Sequence, residues 1–330
     1  MEKILEVTGL RKEYRDFTLN NISFSLPRGY IMGFIGPNGA GKSTTIKLIM
    51  NLVRKDGGEI KVFGLDNISH ELEIKKKIGF VYDENHYYEE LTPLEMGDII
   101  APFYSRWDDA AYHGFLHSFE LPRAKKIKHF SRGMKTKYSL AVALSHGADL
   151  VIMDEPTSGL DPVFRREILD ILAELLQDEQ KSVLFSTHIT SDLDRIADYI
   201  TFINRGEIVF SAERDAILEN YGLVKGSNAL LDATIRQLFV GIRESSFGFE
   251  ALTRDIQGAR NLLKERAVVE KATLEEIMLY TVKGEVKYSL KSLYLEQSPL
   301  VPAAVVVVVA LLLLGGSFFL SRKLYLRKEF

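Results

Sequence analysis

A glycine-rich segment near the N-terminus has the residue types and spacing for the most specific chemistry in this chain. It follows the pattern G-x-x-x-x-G-K-S and a threonine comes next; its members are Gly36, Pro37, Asn38, Gly39, Ala40, Gly41, Lys42, Ser43 and Thr44. Glycines in such a turn let backbone N–H groups come close to phosphate oxygens. Lysine at this position reaches the β- and γ-phosphates, and the serine hydroxyl ligates Mg²⁺. The segment therefore predicts a P-loop that binds a nucleoside triphosphate with Mg²⁺.

Two carboxylates follow an apolar stretch farther along the chain. Leu150-Val151-Ile152-Met153 has the composition of a buried strand, and Asp154 and Glu155 come directly after it. At the tip of such a strand, Asp154 is placed to hold Mg²⁺ through water. Glu155 is placed to accept a proton from an attacking water or to orient that water. In a chain with a P-loop, this pair predicts hydrolysis of the bound triphosphate.

The segments around these residues can position them. Residues 31–35 are predicted to form a buried strand, and residues 44–52 a helix whose N-terminus adds positive dipole beside the P-loop. Apolar strands alternate with amphipathic helices to about residue 210, and 183–186 is another short strand. This alternation predicts an α/β domain with a largely parallel sheet.

Two further regions differ from that alternation. Thr92-Pro93-Leu94-Glu95 is a capping box with proline at the first helical position, and it opens a helical region that runs towards Leu121. After Asn220, glycines separate short alternating pieces, and another helix begins at Thr273. We interpret roughly 221–290 as a small α+β appendage for packing or dimer support, without a catalytic constellation.

Composition limits the possible classes of protein. With 330 residues, the chain has room for one large domain and a smaller one. Its net charge of −3 gives no global attraction to nucleic acid, and the absence of cysteine excludes disulfides and thiolate chemistry. The N-terminal residues alternate like a strand and lack the long apolar stretch of a signal peptide, so we expect the nucleotide-binding domain in the cytosol.

The C-terminal part has the composition of a membrane segment. No residue is charged from Pro299 to Leu320, which is long enough for a transmembrane helix. The basic residues that follow are Arg322, Lys323, Arg327 and Lys328. The positive-inside rule therefore favours a cytosolic C-terminus, which a single span cannot reconcile with a cytosolic nucleotide-binding domain. Two interpretations of this segment remain open: it is a membrane anchor, or it is the last segment of an incompletely fused permease.

Two motifs in the same chain carry a family resemblance. The signature segment is Ser131-Arg132-Gly133-Met134-Lys135, and Asp154-Glu155-Pro156-Thr157-Ser158-Gly159-Leu160-Asp161-Pro162 follows it. Together they resemble the ATPase subunits of ATP-binding-cassette (ABC) transporters over roughly residues 3–220, particularly those of bacitracin-type and other export systems. The fold class implied is an α/β P-loop NTPase of the ABC type with a helical subdomain, a small α+β C-terminal appendage and a C-terminal hydrophobic helix.

The resemblance also implies roles for single residues. Ser131 and Gly133 would contact the γ-phosphate bound to a second subunit, and the loop from Ser158 to Asp161 would join the two sites. His188 matches the switch histidine that senses the γ-phosphate. Tyr14 stands where the family places an aromatic ring against adenine.

Three positions depart from the family pattern. Arg132 replaces a glycine and Met134 a glutamine, while both phosphate-contacting residues of the signature segment are kept. Asp83 replaces a glutamine that binds Mg²⁺ and links to the membrane partner. An aspartate can accept a hydrogen bond from metal-bound water but adds negative charge and cannot donate. We expect this change to affect metal affinity and hydrolysis more than nucleotide binding.

These observations predict an ATPase subunit that binds ATP and Mg²⁺ in a homo- or heterodimer and drives a membrane permease, as an exporter, at the cytoplasmic face of the cell membrane. The predicted domains are 1–220 (helical subdomain about 85–135), 221–295, a transmembrane helix at 299–320 and a basic tail at 321–330. No nucleic acid is expected among the partners. The alternatives are a non-transport ABC ATPase with a regulatory or interaction role and, more remotely, a P-loop kinase or GTPase.

Overall fold

The computed structural model of the chain describes residues 2–82 and 87–282. Its strands are β1 Lys3–Glu13, β2 Thr18–Pro27, β3 Ile31–Ile35, β4 Gly57–Val62, β5 Leu65–Asp66, β6 Ile78–Val81, β7 Leu150–Asp154, β8 Ser182–Thr187, β9 Tyr199–Asn204, β10 Glu207–Glu213, β11 Gly222–Gly226, β12 Phe239–Ser245, β13 Gly248–Thr253 and β14 Ala267–Lys271. Its α-helices are α1 Lys42–Ile49, α2 Glu71–Lys75, α3 Pro93–Ile100, α4 Asp109–Ser118, α5 Arg132–Ser145, α6 Pro162–Leu175, α7 Thr190–Ile196, α8 Arg214–Asn220, α9 Ala233–Arg236, α10 Ile256–Leu263 and α11, residues 274–282.

A six-stranded sheet forms the centre of the nucleotide-binding part. Its strand order is β10-β9-β3-β8-β7-β6, and all neighbouring pairs are parallel except β9 with β10. Every residue of β3, β7 and β8 is buried. Continuous apolar runs such as these suit strands that are covered on both faces. The predicted α/β fold with a largely parallel sheet is confirmed.

A four-stranded antiparallel sheet lies beside the central one and was not predicted. Its order is β2-β1-β4-β5, and its apolar residues join α1 and the β3–β8–β7 strands in one core cluster. Only the N-terminal segment of this sheet had shown clear strand alternation in the sequence. The sheet matters for the site because the turn between β1 and β2 lies close to the P-loop.

The helical region lies between β6 and β7. Thr92 and Glu95 form the predicted capping box at the start of α3, with the Thr92 backbone N–H donating to Glu95 Oε2 at 2.8 Å. Tyr112 from α4 and Tyr138 from α5 meet in the core, where Tyr112 also donates to the Pro93 carbonyl at 2.6 Å. This packing fixes α5, whose first residues are the signature segment.

The C-terminal part contains a third sheet, antiparallel, with the order β12-β13-β11-β14. Residues of α9 and α10 cover one face and form a cluster with Val224 and Phe249. Leu223 and Leu252 on the other face belong to the main core, together with Leu274 and Ile277 of α11. The appendage is therefore continuous with the core of the nucleotide-binding part.

Three sequence predictions fall outside the described residues. They are the role of Asp83, the transmembrane helix at 299–320 and the basic tail at 321–330. Within residues 2–82 and 87–282, no helix has the length and apolar character needed to cross a membrane.

Candidate functional site

The P-loop connects the buried end of β3 to the first turn of α1. A Cβ on Gly36 would lie 2.3 Å from the Ile203 carbonyl oxygen, so only glycine fits this close approach. Gly41 has a φ of 115° and is the N-cap of α1, where no side chain caps the helix. The first N–H groups of α1 therefore remain available for an anion, as expected at a phosphate-binding helix end.

The Lys42 ammonium is held over the loop. Lys42 is buried, and its Nζ donates to the carbonyl oxygens of Gly36 at 2.8 Å and Pro37 at 3.3 Å. The remaining residues of the segment shape the turn: Ala40 N–H donates to the Pro37 carbonyl, and Gly206 N–H donates to the Ala40 carbonyl. The loop is thus tied both to itself and to the β9–β10 turn.

Asp154 lies at the end of β7 and is almost completely buried. Its Oδ1 accepts a hydrogen bond from Ser186 Oγ of the neighbouring strand β8 at 2.6 Å. Burial raises the pKa of Asp154, while the hydrogen bonds from Ser186 and Ser43 oppose that rise. The structure therefore brings the two predicted Mg²⁺ ligands, Ser43 and Asp154, close together.

Glu155 bridges the Lys42 ammonium and the His188 ring on the other side of the loop. Its Oε1 lies 3.1 Å from Lys42 Nζ, and its Oε2 lies 2.8 Å from His188 Nδ1. The Glu155 backbone has a φ of 49°, an uncommon value for a residue with a side chain, and its N–H donates to Ser186 Oγ at 3.0 Å. Strained backbone of this kind is concentrated at functional sites.

A cavity of about 620 Å³ opens over these residues. It is lined by Asp16, Phe17, Asn38, Gly39, Gly41, Lys42, Ser43, Thr44, Glu155, Ser158 and His188. The P-loop, the predicted base and the predicted switch histidine are thus brought together in one place. The volume lies in the usual range for a small-molecule or cofactor site.

The predicted aromatic contact with adenine is the part of the site where the structure differs most from the prediction. Tyr14 is 45% exposed and lies beneath the Lys12 ammonium, but it does not line the cavity. Phe17 does, and its backbone carbonyl accepts from Tyr14 N–H at 2.8 Å. Stacking of Tyr14 on adenine stays a prediction, and Phe17 is a second aromatic candidate that the sequence reasoning missed.

The signature segment lies apart from this cavity. Ser131 is exposed, caps α5 by accepting from Met134 N–H at 3.2 Å, and does not line the cavity of its own chain. Gly133 is buried at the start of α5. Asp161 caps α6 in the same way, accepting from Val163 N–H at 3.0 Å. One copy of the chain therefore does not bring these three residues to its own P-loop.

The polar groups present suit Mg²⁺ in particular. Among the residues that the structure describes, no cluster of three or more histidine, aspartate or glutamate side chains could hold a metal ion by itself. Mg²⁺ does not need such a cage, because it keeps several waters and uses one or two carboxylates with substrate phosphates. The Ser43 hydroxyl and the Asp154 carboxylate beside the P-loop fit that requirement.

A buried ionic network behind the site was not predicted either. Asp192 of α7 is 1% exposed, accepts from Thr157 Oγ1 at 2.7 Å and forms an ion pair with Arg165. Arg165 also donates to Ser191 Oγ at 2.7 Å. Since Thr157 and Arg165 flank the loop from Ser158 to Asp161, Asp192 fixes both ends of that loop to the helix that follows His188.

Comparison with known proteins gives the chain a family. The family model described as ABC transporter matches residues 19–158. The lantibiotic transport ATP-binding protein SrtF of Streptococcus pyogenes is 34% identical over 215 residues, covering 64% of this chain and 92% of SrtF. The linearmycin resistance ATP-binding protein LnrL of Bacillus subtilis is 31% identical over 305 residues, covering 88% of this chain and 97% of LnrL. The chain belongs to the ATP-binding subunits of ABC transporters.

The resemblance to bacitracin-type members is also confirmed. The bacitracin transport ATP-binding protein BcrA of Bacillus licheniformis is 31% identical over 212 residues, covering 63% of this chain and 69% of BcrA. This ABC subunit is an ATPase, and ATP is its nucleotide. Membership of the family excludes the kinase and GTPase alternatives.

Solved structures agree with the fold of this ABC subunit. An ATP-binding subunit of an ABC transporter has a TM-score of 0.58 at 30% identity and covers 66% of this chain and 92% of its own. A dimeric ATP-binding cassette described in a post-hydrolysis state with ADP and phosphate has a TM-score of 0.57 at 23% identity, covering 63% of this chain and 98% of its own. The second likeness concerns the fold alone.

Proposed function

We propose that this ATPase acts as a head-to-tail dimer that binds two Mg·ATP molecules between its subunits, in a homodimer or with a related subunit. Each site would combine the P-loop of one subunit with Ser131 and Gly133 of the other. The observation that carries this proposal is the position of Ser131, which is exposed and outside the cavity of its own chain. The Ser131 hydroxyl accepts from Met134 N–H, so it can still donate its proton to a phosphate oxygen supplied from outside at this helix N-terminus.

Within each site, Lys42, Glu155 and His188 would respond to the γ-phosphate. Glu155 is ion-paired with Lys42 and contacts His188. A γ-phosphate competes with Glu155 for the Lys42 ammonium, because both are anions. Once released from Lys42, the Glu155 carboxylate can orient the attacking water and accept its proton. His188 can then donate to the γ-phosphate oxygen.

The Ser43 hydroxyl and Asp154 would hold the metal side of the nucleotide. Bound Mg²⁺ would neutralise charge on the β- and γ-phosphates. Asp154 must be ionised for this role, although its burial raises its pKa. The hydrogen bond from Ser186 favours the ionised form and thereby supports the site at neutral pH.

The work of this dimer would be transport. Closure of the dimer on ATP and its opening after hydrolysis would move a membrane permease through the helical subdomain, about residues 85–135, at the cytoplasmic face of the cell membrane. We favour export, because the relatives are named for lantibiotic transport, bacitracin transport and linearmycin resistance. A strain in which Lys42→Ala replaces the wild type should become more sensitive to antimicrobial compounds of this kind, and unchanged sensitivity to all of them would count against export.

Complementation between two inactive variants tests whether the sites are shared. Lys42→Ala disables the P-loop, and Ser131→Arg disables the surface given to the other subunit. In a mixed dimer, one site has both defects and the other has neither. We therefore expect ATP hydrolysis to return when the two inactive proteins are mixed, to at most about half of the wild-type rate if sites act independently.

Sites contained within one chain give the opposite result. Each variant then keeps its own defect, and the mixture stays inactive. A mixture of Lys42→Ala with Lys42→Met is the matched control, because both subunits then lack a working P-loop. Each protein must show a wild-type melting curve before mixing, so that loss of folding is not mistaken for loss of a shared site.

Glu155→Gln tests the catalytic part of the proposal. The amide keeps the size of the side chain but cannot accept a proton from water or pair with Lys42 as an anion. We expect turnover to fall at least about 100-fold while ATP still binds, so that the dimer accumulates with Mg·ATP in light-scattering measurements. Near-wild-type turnover would remove the role assigned to Glu155.

A further inference from the structure

The two segments that this chain presents at the proposed dimer interface lie against each other. One is the start of α5, Ser131 to Gly133, and the other is the loop from Ser158 to Asp161 that leads into α6. The helices α5 and α6 are in contact, and their first turns meet where Gly133 of α5 lies against Phe164 of α6. The side chains between them decide whether the two segments can move separately.

Phe164, in the first turn of α6, fills the space over Gly133. A Cβ on Gly133 would lie 2.9 Å from Phe164 Cδ1 and 3.0 Å from Phe164 Cγ. Real Cβ atoms do not approach other atoms so closely, so one of the two groups would have to shift. Gly133 is not among the residues with positive φ, and its backbone is helical. The phenylalanine ring of the same chain, rather than the backbone, therefore requires glycine here.

Lys137 holds the ring one turn farther along α5. Its Nζ lies 4.8 Å from the centre of the Phe164 ring and forms an ion pair with Glu167 of α6. The Lys137 side chain is only 9% exposed. A cation over an aromatic face is worth more when it is desolvated, so this contact fixes the ring orientation more strongly than a surface contact would.

Arg132 makes the contact on the loop side. Its Nη1 lies 2.7 Å from the position that a Cβ on Gly159 would occupy, so the guanidinium rests on the backbone of the loop. Gly159 has a φ of 69°, which favours glycine independently of that contact. Arg132 is one of the positions where the chain departs from the family pattern, and here it touches the loop between the two proposed sites.

We infer that Phe164 is a positioning residue that fixes Ser131 and Gly133 to the loop from Ser158 to Asp161, so that both segments move as one unit. This inference rests on the proposed shared sites. Ser158 lines the cavity of its own chain, whereas Ser131 would complete the cavity of the other. A nucleotide that shifts Ser158 in one site therefore shifts Ser131 in the second, which couples the two sites through a single subunit.

A double-mutant cycle tests the contact itself. Gly133→Ala in the wild-type background forces a clash with the Phe164 ring, and we expect the melting temperature to fall by several degrees. In the Phe164→Ala background the clash is absent and alanine is the better helix former. There Gly133→Ala should leave the melting temperature unchanged or raise it by roughly 2–4 °C. Equal effects of Gly133→Ala on the melting temperature in the two backgrounds would show that the two residues are not in contact, because the effects of substitutions at distant sites are additive.

ATP hydrolysis tests the positioning role. Phe164→Ala should keep the affinity of the monomer for ATP within about twofold, because Phe164 does not line the cavity. Its turnover should fall about tenfold or more, and the Hill coefficient for ATP should fall towards one. Phe164→Leu, which keeps an apolar side chain over Gly133, should recover part of both.

The matched control is Val163→Ala, since Val163 is adjacent in α6 and 67% exposed. It should behave as wild type in melting, turnover and Hill coefficient. If mixing Lys42→Ala with Ser131→Arg restores activity but Phe164→Ala keeps wild-type turnover and cooperativity, the coupling proposed here is wrong. A third outcome is that mixing restores no activity while the double-mutant cycle is non-additive. The shared-site proposal is then wrong, and so is the coupling that rests on it, whereas the packing of Phe164 on Gly133 is confirmed.

Discussion

The Ser186 hydroxyl offers a sharp test of how this site holds its two carboxylates. Ser186 is completely buried on β8, donates to Asp154 Oδ1 at 2.6 Å and accepts from Glu155 N–H at 3.0 Å. Ser186→Ala removes both contacts without adding volume. The Glu155 N–H keeps the Ser186 backbone carbonyl at 3.1 Å, so the larger loss falls on Asp154.

The size of the effect follows from the charge of Asp154. A hydrogen bond to a charged group contributes about 1.5–3 kcal/mol, and at room temperature this corresponds to roughly 10- to 150-fold in an equilibrium constant. Partners of metal ligands typically change metal affinity or activity by about 10- to 100-fold. We therefore expect the Mg²⁺ concentration for half-maximal ATP hydrolysis to rise about 10- to 100-fold in Ser186→Ala.

The pH dependence should change in a definite direction. Burial already raises the pKa of Asp154, and the hydrogen bond from Ser186 opposes that rise. Without the hydroxyl, the pKa rises further, so the carboxylate is protonated at a higher pH. Activity at fixed subsaturating Mg²⁺ should therefore be lost at a higher pH in the variant than in the wild type as pH falls.

A serine at the other end of the same strand provides the control. Ser182 is also completely buried, and its Oγ accepts from Gly29 N–H at 2.9 Å, away from the nucleotide cavity. Ser182→Ala should lower stability by about 1–3 kcal/mol and leave the Mg²⁺ dependence unchanged. The reasoning is refuted if Ser186→Ala binds Mg²⁺ as the wild type does, or if both variants shift the dependence equally.

Three other predictions concern stability. His146 is buried and stacked on Tyr104 at 4.0 Å, and burial lowers its pKa to about 4; below about pH 6.5 the unfolded chain gains a proton that the folded chain does not. Between pH 6.5 and 4, the free energy of unfolding of the wild type should therefore fall by up to about 3 kcal/mol more than that of His146→Phe. Denaturant titrations at each pH measure this difference, and an equal pH dependence in the two proteins would contradict the prediction. Asp192→Asn should lower the free energy of unfolding by about 3 kcal/mol, because it leaves Arg165 without its buried counter-ion. A decrease no larger than that from breaking an exposed ion pair such as Arg195–Asp170 would disprove the role of the network. Thr92→Ala should lower the free energy of unfolding by about 1 kcal/mol through the lost helix cap and leave the affinity for ATP unchanged. A changed affinity, measured by titration with ATP, would show that α3 is coupled to the site.

Local patterns predicted the parts of the fold that depend on neighbouring residues. The P-loop required glycines at fixed spacing, and the capping box required Thr92 and Glu95 three positions apart. The parallel sheet followed from continuous apolar strands that alternate with helices. The antiparallel sheet of β1, β2, β4 and β5 was missed because β4 and β5 are short and lie among turns.

The contacts behind the site could not be predicted in the same way. The sequence predicted a strand over 183–186 but assigned no role to Ser186 or to Asp192. Each acts on residues about thirty positions away along the chain, at a distance set by the sheet and helix packing. Phe17 was missed for a related reason, since the turn between β1 and β2 folds towards the P-loop only when both sheets share a core.

The sequence by itself determined the chemistry available to this protein: a phosphate-binding turn, two carboxylates after an apolar strand, and a serine and glycine at the start of a helix. The tertiary structure decided which of these groups meet. Because β3, β8 and β7 are adjacent and parallel, their carboxyl ends bring Lys42, His188 and Glu155 to one edge of the sheet. Because α5 starts away from that edge, Ser131 is exposed and does not face the P-loop of its own chain. The position of Ser131 along the sequence could not reveal that separation.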